Sequence, residues 1–507
     1  MTAVAGVDPR TAQPLPAVTE ESTRADVDAI AGDAARAAGA LSGLSRTRRA
    51  EFLDAIADAT EAHRADLVGT AAAETGFATA KLDGELTRTA FQFRFFAEVI
   101  REGSYLEASI DSAGDSPMGP RPDLRRILVP IGPVAVFGAS NFPFAFSVLG
   151  GDTASALAAG CPVIAKAHDS HPATSKTSFD ILTRVAREKA LPESVIGIVF
   201  GRSAGADLVA HPHIRAVGFT GSLSGGRALL DIIDRREDPI PFYGELSSVN
   251  PVVVTPAAAA ERAEEIGAAL VASFTLGAGQ LCTKPGLVLV PDNADGDRLC
   301  SAVRDAVAQV AAQPLLNEGI LRTYRQDASA FAQADLVTTA GLPADQPGYW
   351  AQALVVETDF ATLTSELVHE TFAPVTVIAR YPAADPGSAV SALTTVAPPS
   401  LTATIHHGQS EDDLTVELVG LLTPTAGRII FNGFPTGVAV AWSQHHGGPW
   451  PSTNTLHTSV GATAIRRFLR PVTYQNAPQA VLPPELRDGY SGIPLRRDGV
   501  LFVPESP

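Results

Sequence analysis

Cysteine is scarce in this chain: three in 507 residues, with no Cys-x-x-Cys pair. So sparse a set excludes a disulfide framework and favours a reducing compartment, with the cytoplasm as the expected location. Aromatic residues are few as well, at 6%, while Ala, Gly and Val are plentiful, a balance suited to closely packed helices and sheet. No uninterrupted apolar run reaches the roughly 18 residues of a membrane span; the longest uncharged stretch, around 266–281, carries several Gly and Gln280. The opening residues lack the basic start and apolar run of a signal peptide. Positive charge is in short supply, with 38 basic against 55 acidic residues and a formal net charge of -17. Such a surface repels nucleic acid and anionic membrane. The short basic clusters, Arg46 to Arg49 and Arg125-Arg126, read as solvated helix or strand faces.

A chain of 507 residues exceeds one hydrophobic core, so two large lobes with smaller appendages are expected. Residues 24–74 carry charge at helical spacing, and a second helical stretch covers about 82–101. The polar, Gly/Pro-bearing patch 112–123 reads as a loop or hairpin edge. From Ile127 the rhythm changes to short apolar runs, among them Val134-Ala135-Val136-Phe137 and Val163-Ile164-Ala165, separated by helix-compatible segments. That pattern predicts a parallel sheet buried on both faces, with a ligand at its carboxyl edge. A second α/β rhythm starts at Pro251 and runs to about Pro449, punctuated by Pro-rich stretches such as 342–347. The tail, 470–507, reads as extended.

Four local patterns carry possible chemistry. Cys282 follows Gly277-Ala278-Gly279-Gln280-Leu281, where glycine lets backbone approach a ligand closely. Alone it reads as a small buried hydrophobe; as a thiolate it attacks carbonyls. Glu245, between Tyr243 and Leu246, is either a salt-bridged surface acid or a desolvated base whose pKa is raised toward neutrality. Asn141, after the strand ending at Phe137, is either a turn residue or an amide donor to an oxyanion. Phe219-Thr220-Gly221-Ser222 with Gly226 is a Gly-x-x-x-x-Gly turn after a strand, distinct from the GxGxxG fingerprint. Cys161 and Cys300 read as core residues. The histidines show no metal-ligand spacing, His445 and His446 point apart as neighbours, and no metal is expected.

Taken together and in this order, the patterns resemble the aldehyde dehydrogenase superfamily over nearly the whole chain. The resemblance implies Cys282 as nucleophile, Glu245 as general base and Asn141 as the oxyanion-holding amide. It implies that Lys166 and the acid Asp169 meet the adenosine ribose, and that Gly221, Ser222 and Gly226 form the cofactor turn. Glu370 and Phe372 fall where relatives hold the nicotinamide ribose, although Ala373 replaces the usual glycine there and Ser247-Ser248 replaces Gly-Gly after Leu246. Asp169 speaks against a 2′-phosphate and Arg202 offsets it, so NAD and NADP both remain open.

Within the superfamily the chain is similar to the branch of α-ketoglutaric semialdehyde and bacterial fatty-aldehyde dehydrogenases, through 279–286, 150–157, 431–438, His446-Gly447-Gly448-Pro449 and 468–472. The implied fold is α/β: a Rossmann-type cofactor lobe from 1–111 and 131–246, a catalytic lobe from 247–450, and oligomerisation segments 112–130 and 451–507. The implied partners are a small-molecule aldehyde and further copies of the chain, as a dimer or tetramer. Arg88 or Arg94, on a helix that lines the substrate tunnel in relatives, is a candidate for a substrate carboxylate. A coenzyme A-acylating relative shares Cys282 but has no use for Glu245, and a cysteine hydrolase needs a histidine partner that the sequence does not display. Cys282→Ala is expected to abolish turnover; a variant with full activity would place the chemistry elsewhere.

Overall fold

The computed structural model describes residues 2–331, the backbone of 336–339, and residues 346–435 and 437–504. Most of the Pro-rich stretch 342–347, Thr436 and the last three residues lie outside the described residues. After a hairpin of Ala3–Asp8 with Gln13–Glu20 come four helices: α1 (Arg24–Ser42), α2 (Arg46–Ala62), α3 (Arg64–Thr75) and α4 (Thr79–Glu102). Thr23 opens α1 with a capping box, its hydroxyl accepting from the Asp26 N–H while the Asp26 carboxylate accepts from the Thr23 N–H.

The apolar runs after Ile127 form the expected parallel sheet. Its strands are β1 (Val134–Phe137), β2 (Val163–Lys166), β3 (Ile196–Val199), β4 (Ala216–Thr220) and β5 (Phe242–Glu245), in spatial order β5-β4-β1-β2-β3. Both faces are covered, and the period-2 geometry of a strand sorts its residues between them. Val134 and Val136 pack with Val163, Ala165 and Ile196 beneath α2, α4, α5 (Gly151–Ala159) and α6 (Pro172–Glu188). Ala135 and Phe137 pack with Ile164 and Val199 beneath α1 and α7 (Arg202–Ala210). The chain leaves β1 in one direction and returns to β4 on its other side, so the carboxyl ends of β1 and β4 open a crevice at the reversal.

Five residues after β5 a seven-stranded sheet begins: β6 (Pro251–Val254), β7 (Leu287–Asp292), β8 (Leu336–Thr339), β9 (Leu354–Asp359), β10 (Val375–Pro382), β11 (Ser400–His406) and β12 (Ala426–Phe431). The order is β8-β9-β10-β7-β6-β11-β12, parallel throughout except for β8 against β9. A third sheet joins Ser109–Asp111 and Leu124–Pro130 to the tail strands Leu469–Gln475, Leu495–Arg497 and Val500–Phe502. The extended tail and the 114–121 hairpin match the sequence reading. No helix among the described residues is long and apolar enough to cross a membrane.

The basic clusters are solvated faces only in part: Arg48 is exposed and Arg126 half-buried, but the other arginines turn inward. Arg49 and Arg125 are buried, Arg49 donating to the Tyr105 hydroxyl at 2.8 Å and Arg125 to the Asp123 carboxylate and the Leu486 carbonyl. Arg46 donates to the Ile100 and Arg101 carbonyls, to the Tyr490 hydroxyl and to Glu485. The planar fork of a guanidinium satisfies several carbonyls at once, which permits burial of a charge that composition assigns to water.

Arg467, 2% exposed, makes a comparable link from the second half of the chain to α5: it donates to Asp152 at 2.7 Å, to Ser155 at 3.2 Å and to the Ala464 carbonyl at 3.1 Å. Removing one partner of such a pair strands the other charge in the core. Arg467→Leu is expected to destabilise the fold by about 3–5 kcal/mol, read as a lowered denaturant midpoint, and Arg467→Leu with Asp152→Leu to recover most of that loss.

Candidate active site

The turn that carries Cys282 is built by close backbone approach. Helix α9 (Pro256–Thr275) ends in a tight turn, and Gly277, Ala278 and Gly279 all take left-handed φ, of 60°, 57° and 69°. Any Cβ on Gly279 would sit 2.3 Å from the Ala373 carbonyl oxygen, so only glycine fits there. Asn250, buried and itself at a φ of 58°, holds the next stretch by donating to the carbonyls of Cys282 at 2.8 Å and Lys284 at 2.9 Å. Its own carbonyl accepts from Ser248 and Thr402, so both ends of the amide are occupied. Lys284 runs inward and donates to the Val375 carbonyl at 2.6 Å; burial lowers its pKa to about 8.

Three side chains meet at the sulfur. His446 Nε2 lies 3.5 Å from Cys282 Sγ and 2.9 Å from Glu245 Oε1, and the donor atoms of all three lie within 4.8 Å of one another. Glu245 ends β5 and is 3% exposed; its other oxygen accepts from Ser459 at 2.7 Å. His446 is 1% exposed, and its backbone N–H donates to Thr458 at 2.7 Å. Asn141 is also buried, and one of its two amide hydrogens goes to the Gln280 carbonyl at 2.7 Å. That bond sets the amide beside the nucleophile turn with its second hydrogen to spare.

The electrostatics correct the expectation for Glu245. Burial pushes its carboxyl up, but the charge and hydrogen bond of His446, with the hydrogen bonds of Ser459 and Cys282, outweigh burial and bring it below the ordinary range. It is an ionised base at neutral pH rather than a carboxyl poised near it. The cost falls on the sulfur: burial and then the Glu245 charge hold the Cys282 thiol well above its usual value. Cys161 and Cys300 are buried and pushed up to about 11, in keeping with a core role.

A cavity of about 390 Å³ runs from this cluster to the carboxyl edge of the first sheet. Asn141, Glu245 and Cys282 line one end; Thr220, Gly221, Ser222 and His168 line it further along, with Glu370 and Phe372 on its wall. Ser222 caps α8 (Leu223–Asp234), accepting from the Gly225 N–H at 3.2 Å. Gly226 lies under Leu246, where a Cβ would come within 2.4 Å of that side chain, so its place is to let α8 approach β5. Lys166, at the end of β2, pairs with the exposed Asp169 at 2.6 Å, and Arg202 adds positive charge beside them. Desolvation raises Glu370 to about 7.

His446 is the site residue that sequence reasoning passed over, and the expectation that no histidine partners Cys282 is overturned. The signal was present, since His446-Gly447-Gly448-Pro449 was part of the family pattern, but 164 residues separate it from the cysteine. Of the two arginine candidates, Arg94 is excluded: it faces away and pairs with Asp58 at 2.7 Å and Glu61 at 2.6 Å. Six residues along a helix rotate the side chain by about 240°, so Arg88 and Arg94 never shared a face.

Comparison with known proteins places the whole chain in one family. The model of the aldehyde dehydrogenase family matches residues 2–391. The chain is 42% identical over 484 residues to the alpha-ketoglutaric semialdehyde dehydrogenase of Acinetobacter baylyi, covering 94% of this chain and 91% of that one. It is 43% identical over 502 residues to alpha-ketoglutaric semialdehyde dehydrogenase 2 of Azospirillum brasilense, covering 97% and 95%. Among solved structures, aldehyde dehydrogenase C of Pseudomonas syringae, complexed with NAD+ and octanal, has a TM-score of 0.79 at 19% identity, with 94% of each chain covered, a likeness of fold.

If Glu245 raises the thiol, removing its charge frees the sulfur. At pH 8, Glu245→Gln is expected to speed alkylation of Cys282 by iodoacetamide about tenfold, one pKa unit's worth of thiolate, whereas His446→Gln is expected not to. Peptide mass mapping checks both; an unchanged rate in Glu245→Gln would mean that the carboxylate and the sulfur are not coupled.

Proposed function

The chain belongs to the aldehyde dehydrogenase family, whose members are oxidoreductases acting on aldehydes, and on that premise we propose that it oxidises α-ketoglutaric semialdehyde to 2-oxoglutarate with NAD or NADP. The substrate is taken from the two relatives above; a fatty aldehyde is the alternative. The observation that carries the chemistry is the convergence of Cys282, His446, Glu245 and Asn141 at one end of a cleft that begins at a sheet's switch point.

The cleft fits a dinucleotide. Its far end has Gly221 and Ser222 at a helix N-terminus, where backbone N–H groups favour phosphate. Lys166 and Asp169 would meet the adenosine ribose, with Gly226 allowing the close packing of that turn. Glu370 and Phe372 would hold the nicotinamide ribose. When bound, NAD or NADP supplies the hydride acceptor.

The protein's own residues do the rest. The Cys282 thiol gives its proton to the Glu245 carboxylate, to which it is hydrogen-bonded, as the sulfur bonds to the aldehyde carbon. The carbonyl oxygen becomes an oxyanion held by the free Asn141 amide hydrogen and the Cys282 N–H. Loss of hydride from that carbon restores the carbonyl as a thioester. Glu245, having passed that proton to solvent through the cleft, is ionised again and takes a proton from water as the water oxygen attacks the thioester; the carbon–sulfur bond breaks with the sulfur leaving as thiolate, and the acid departs. A deacylating base of this kind supports hydrolysis over transfer to coenzyme A.

The lobes follow the same division: 1–111 and 131–246 bind cofactor, 247–450 carry the nucleophile, and 112–130 with 451–507 mediate assembly into a dimer or tetramer. Support comes from the outer strand Val500–Phe502, an edge whose three apolar residues and Val503 are more than half exposed. A nucleophilic thiol also needs a reducing compartment, in keeping with the cytoplasm.

The test is an assay of α-ketoglutaric semialdehyde, succinic semialdehyde and long-chain aldehydes with both cofactors, the product identified by mass as acid or acyl-CoA. Asn141→Ala is expected to lower kcat by about 10²–10³-fold, roughly 3 kcal/mol of barrier. Glu245→Gln is expected to give a burst of reduced cofactor equal to the enzyme and then stall. A linear, burst-free trace at wild-type rate would remove Glu245 from the deacylation step.

A further inference from the structure

The three side chains that meet at Cys282 are also a set of metal donors: a thiol, an imidazole and a carboxylate. They come from the turn after α9, the segment after β12 and the end of β5. No spacing along one element announces such a set, because 164 residues part Cys282 from His446 and 201 part His446 from Glu245. A tetrahedral zinc ion, with bonds of about 2.0–2.3 Å, spaces a sulfur and a nitrogen donor by roughly 3.5 Å and a nitrogen and an oxygen donor by roughly 3.4 Å. Here Cys282 Sγ lies 3.5 Å from His446 Nε2, and Nε2 lies 2.9 Å from Glu245 Oε1. The first pair is already at coordination distance, and the second has to open by about 0.5 Å.

Outer bonds hold all three donors in place. Ser459 occupies the other carboxylate oxygen at 2.7 Å, Thr458 fixes the His446 backbone at 2.7 Å, and Asn250 holds the Cys282 carbonyl at 2.8 Å. Charge adds to the fit. A thiolate beside the Glu245 carboxylate would put two negative charges in one buried site, and the thiol keeps its proton for that reason. A dication between them, with a neutral imidazole, makes the same site neutral. Further charges act from around it: Glu370 adds negative field at the sulfur, while Arg428 and Arg88 add positive field. Both guanidinium groups are held on main-chain carbonyls, Arg88 on Val438 at 3.2 Å and Arg428 on Gly437 at 3.0 Å. Cys282 and Glu245 line the cavity, which gives an ion its way in and a water to complete four ligands.

We propose that Cys282, His446 and Glu245 form a reversible inhibitory site for a thiophilic divalent cation, Zn2+ in the first place. On binding, the Cys282 proton leaves to solvent and the hydrogen of the neutral imidazole moves from Nε2 to Nδ1. Bonds from the metal to sulfur, nitrogen and oxygen form, and nothing is oxidised. The ion takes the sulfur and the carboxylate together, so the site is silent until a chelator removes it.

The experiment titrates Zn2+ into the chelator-stripped protein in competition with a chromophoric chelator. One ion per chain is expected. His446→Gln, which keeps every cysteine, is expected to weaken binding about a hundredfold, and Ser459→Ala, which only loosens Glu245, about tenfold. Unchanged affinity in His446→Gln would mean that zinc sits on a lone thiol and would overturn the proposal. Wild type alone supplies a second reading. Co2+ is expected to give the intense visible bands of a tetrahedral ion with a thiolate-to-cobalt absorption, and Zn2+ to block iodoacetamide labelling of Cys282 until EDTA is added. A sulfur-free, octahedral cobalt spectrum, or equal protection by Mg2+, would also overturn it. Spectra and labelling need no aldehyde, so their outcome is separate from that of the turnover assay.

Discussion

Burying the Glu245 carboxylate is the constraint around which the site is arranged. At 3% exposure it is stable only with donors on both oxygens, and it draws them from one stretch of chain, His446 on one side and Ser459 on the other. Thr458 in turn fixes the His446 backbone, so residues 446–459 close over the carboxylate as a unit. Leu246 adds a backbone bond to Ser452 at 2.8 Å. The arrangement leaves a negative charge against a thiol, which holds the sulfur protonated until something takes its proton. His446 Nε2 lies near both, with its hydrogen committed to Glu245. A cysteine kept as thiol at rest is also less open to oxidation than a free thiolate.

The two large sheets meet where this constraint is met. Glu245 is the last residue of β5, and β6 begins at Pro251. The five residues between them contribute Leu246 to the packing over Gly226 and Asn250 to the hold on the Cys282 turn. Glu245 and the Cys282 turn are thus tied to one short connector, and neither is placed by a long flexible loop. The carbonyls that bind Arg88 and Arg428 come from the segment just after β12, which brings the far end of the second sheet to the same region.

Much of this was legible in the sequence because it depends on local pattern. The apolar runs of β1 to β5 have two buried faces and therefore show no alternation, which is what distinguishes them from half-exposed strands. Asn141 and Cys282 sit in glycine-bearing turns with a recognisable order. What escaped was set by contacts between distant residues. His446 was weighed against its neighbour His445, when its partners lie 164 and 201 residues away. Arg49 and Arg125 counted as surface charge because composition cannot show a carbonyl waiting in the fold. Asn250 sits in a left-handed conformation that asparagine tolerates, but its hold on the Cys282 and Lys284 carbonyls depends on residues more than 30 positions away. The carboxyl of Glu245 was expected to rise, because desolvation can be read from apolar neighbours in sequence, whereas the charge of His446 and the hydrogen bonds that reverse it cannot.

The contact at Gly279 has a mechanical side. With a Cβ's width missing between that residue and the Ala373 carbonyl, the turn that carries the sulfur and the wall that carries Glu370 and Phe372 touch backbone to backbone. Stiff parts in such contact move together rather than independently. Any shift of the wall is transmitted to the turn of the sulfur through two peptide planes, so that the two ends of the groove are mechanically one piece.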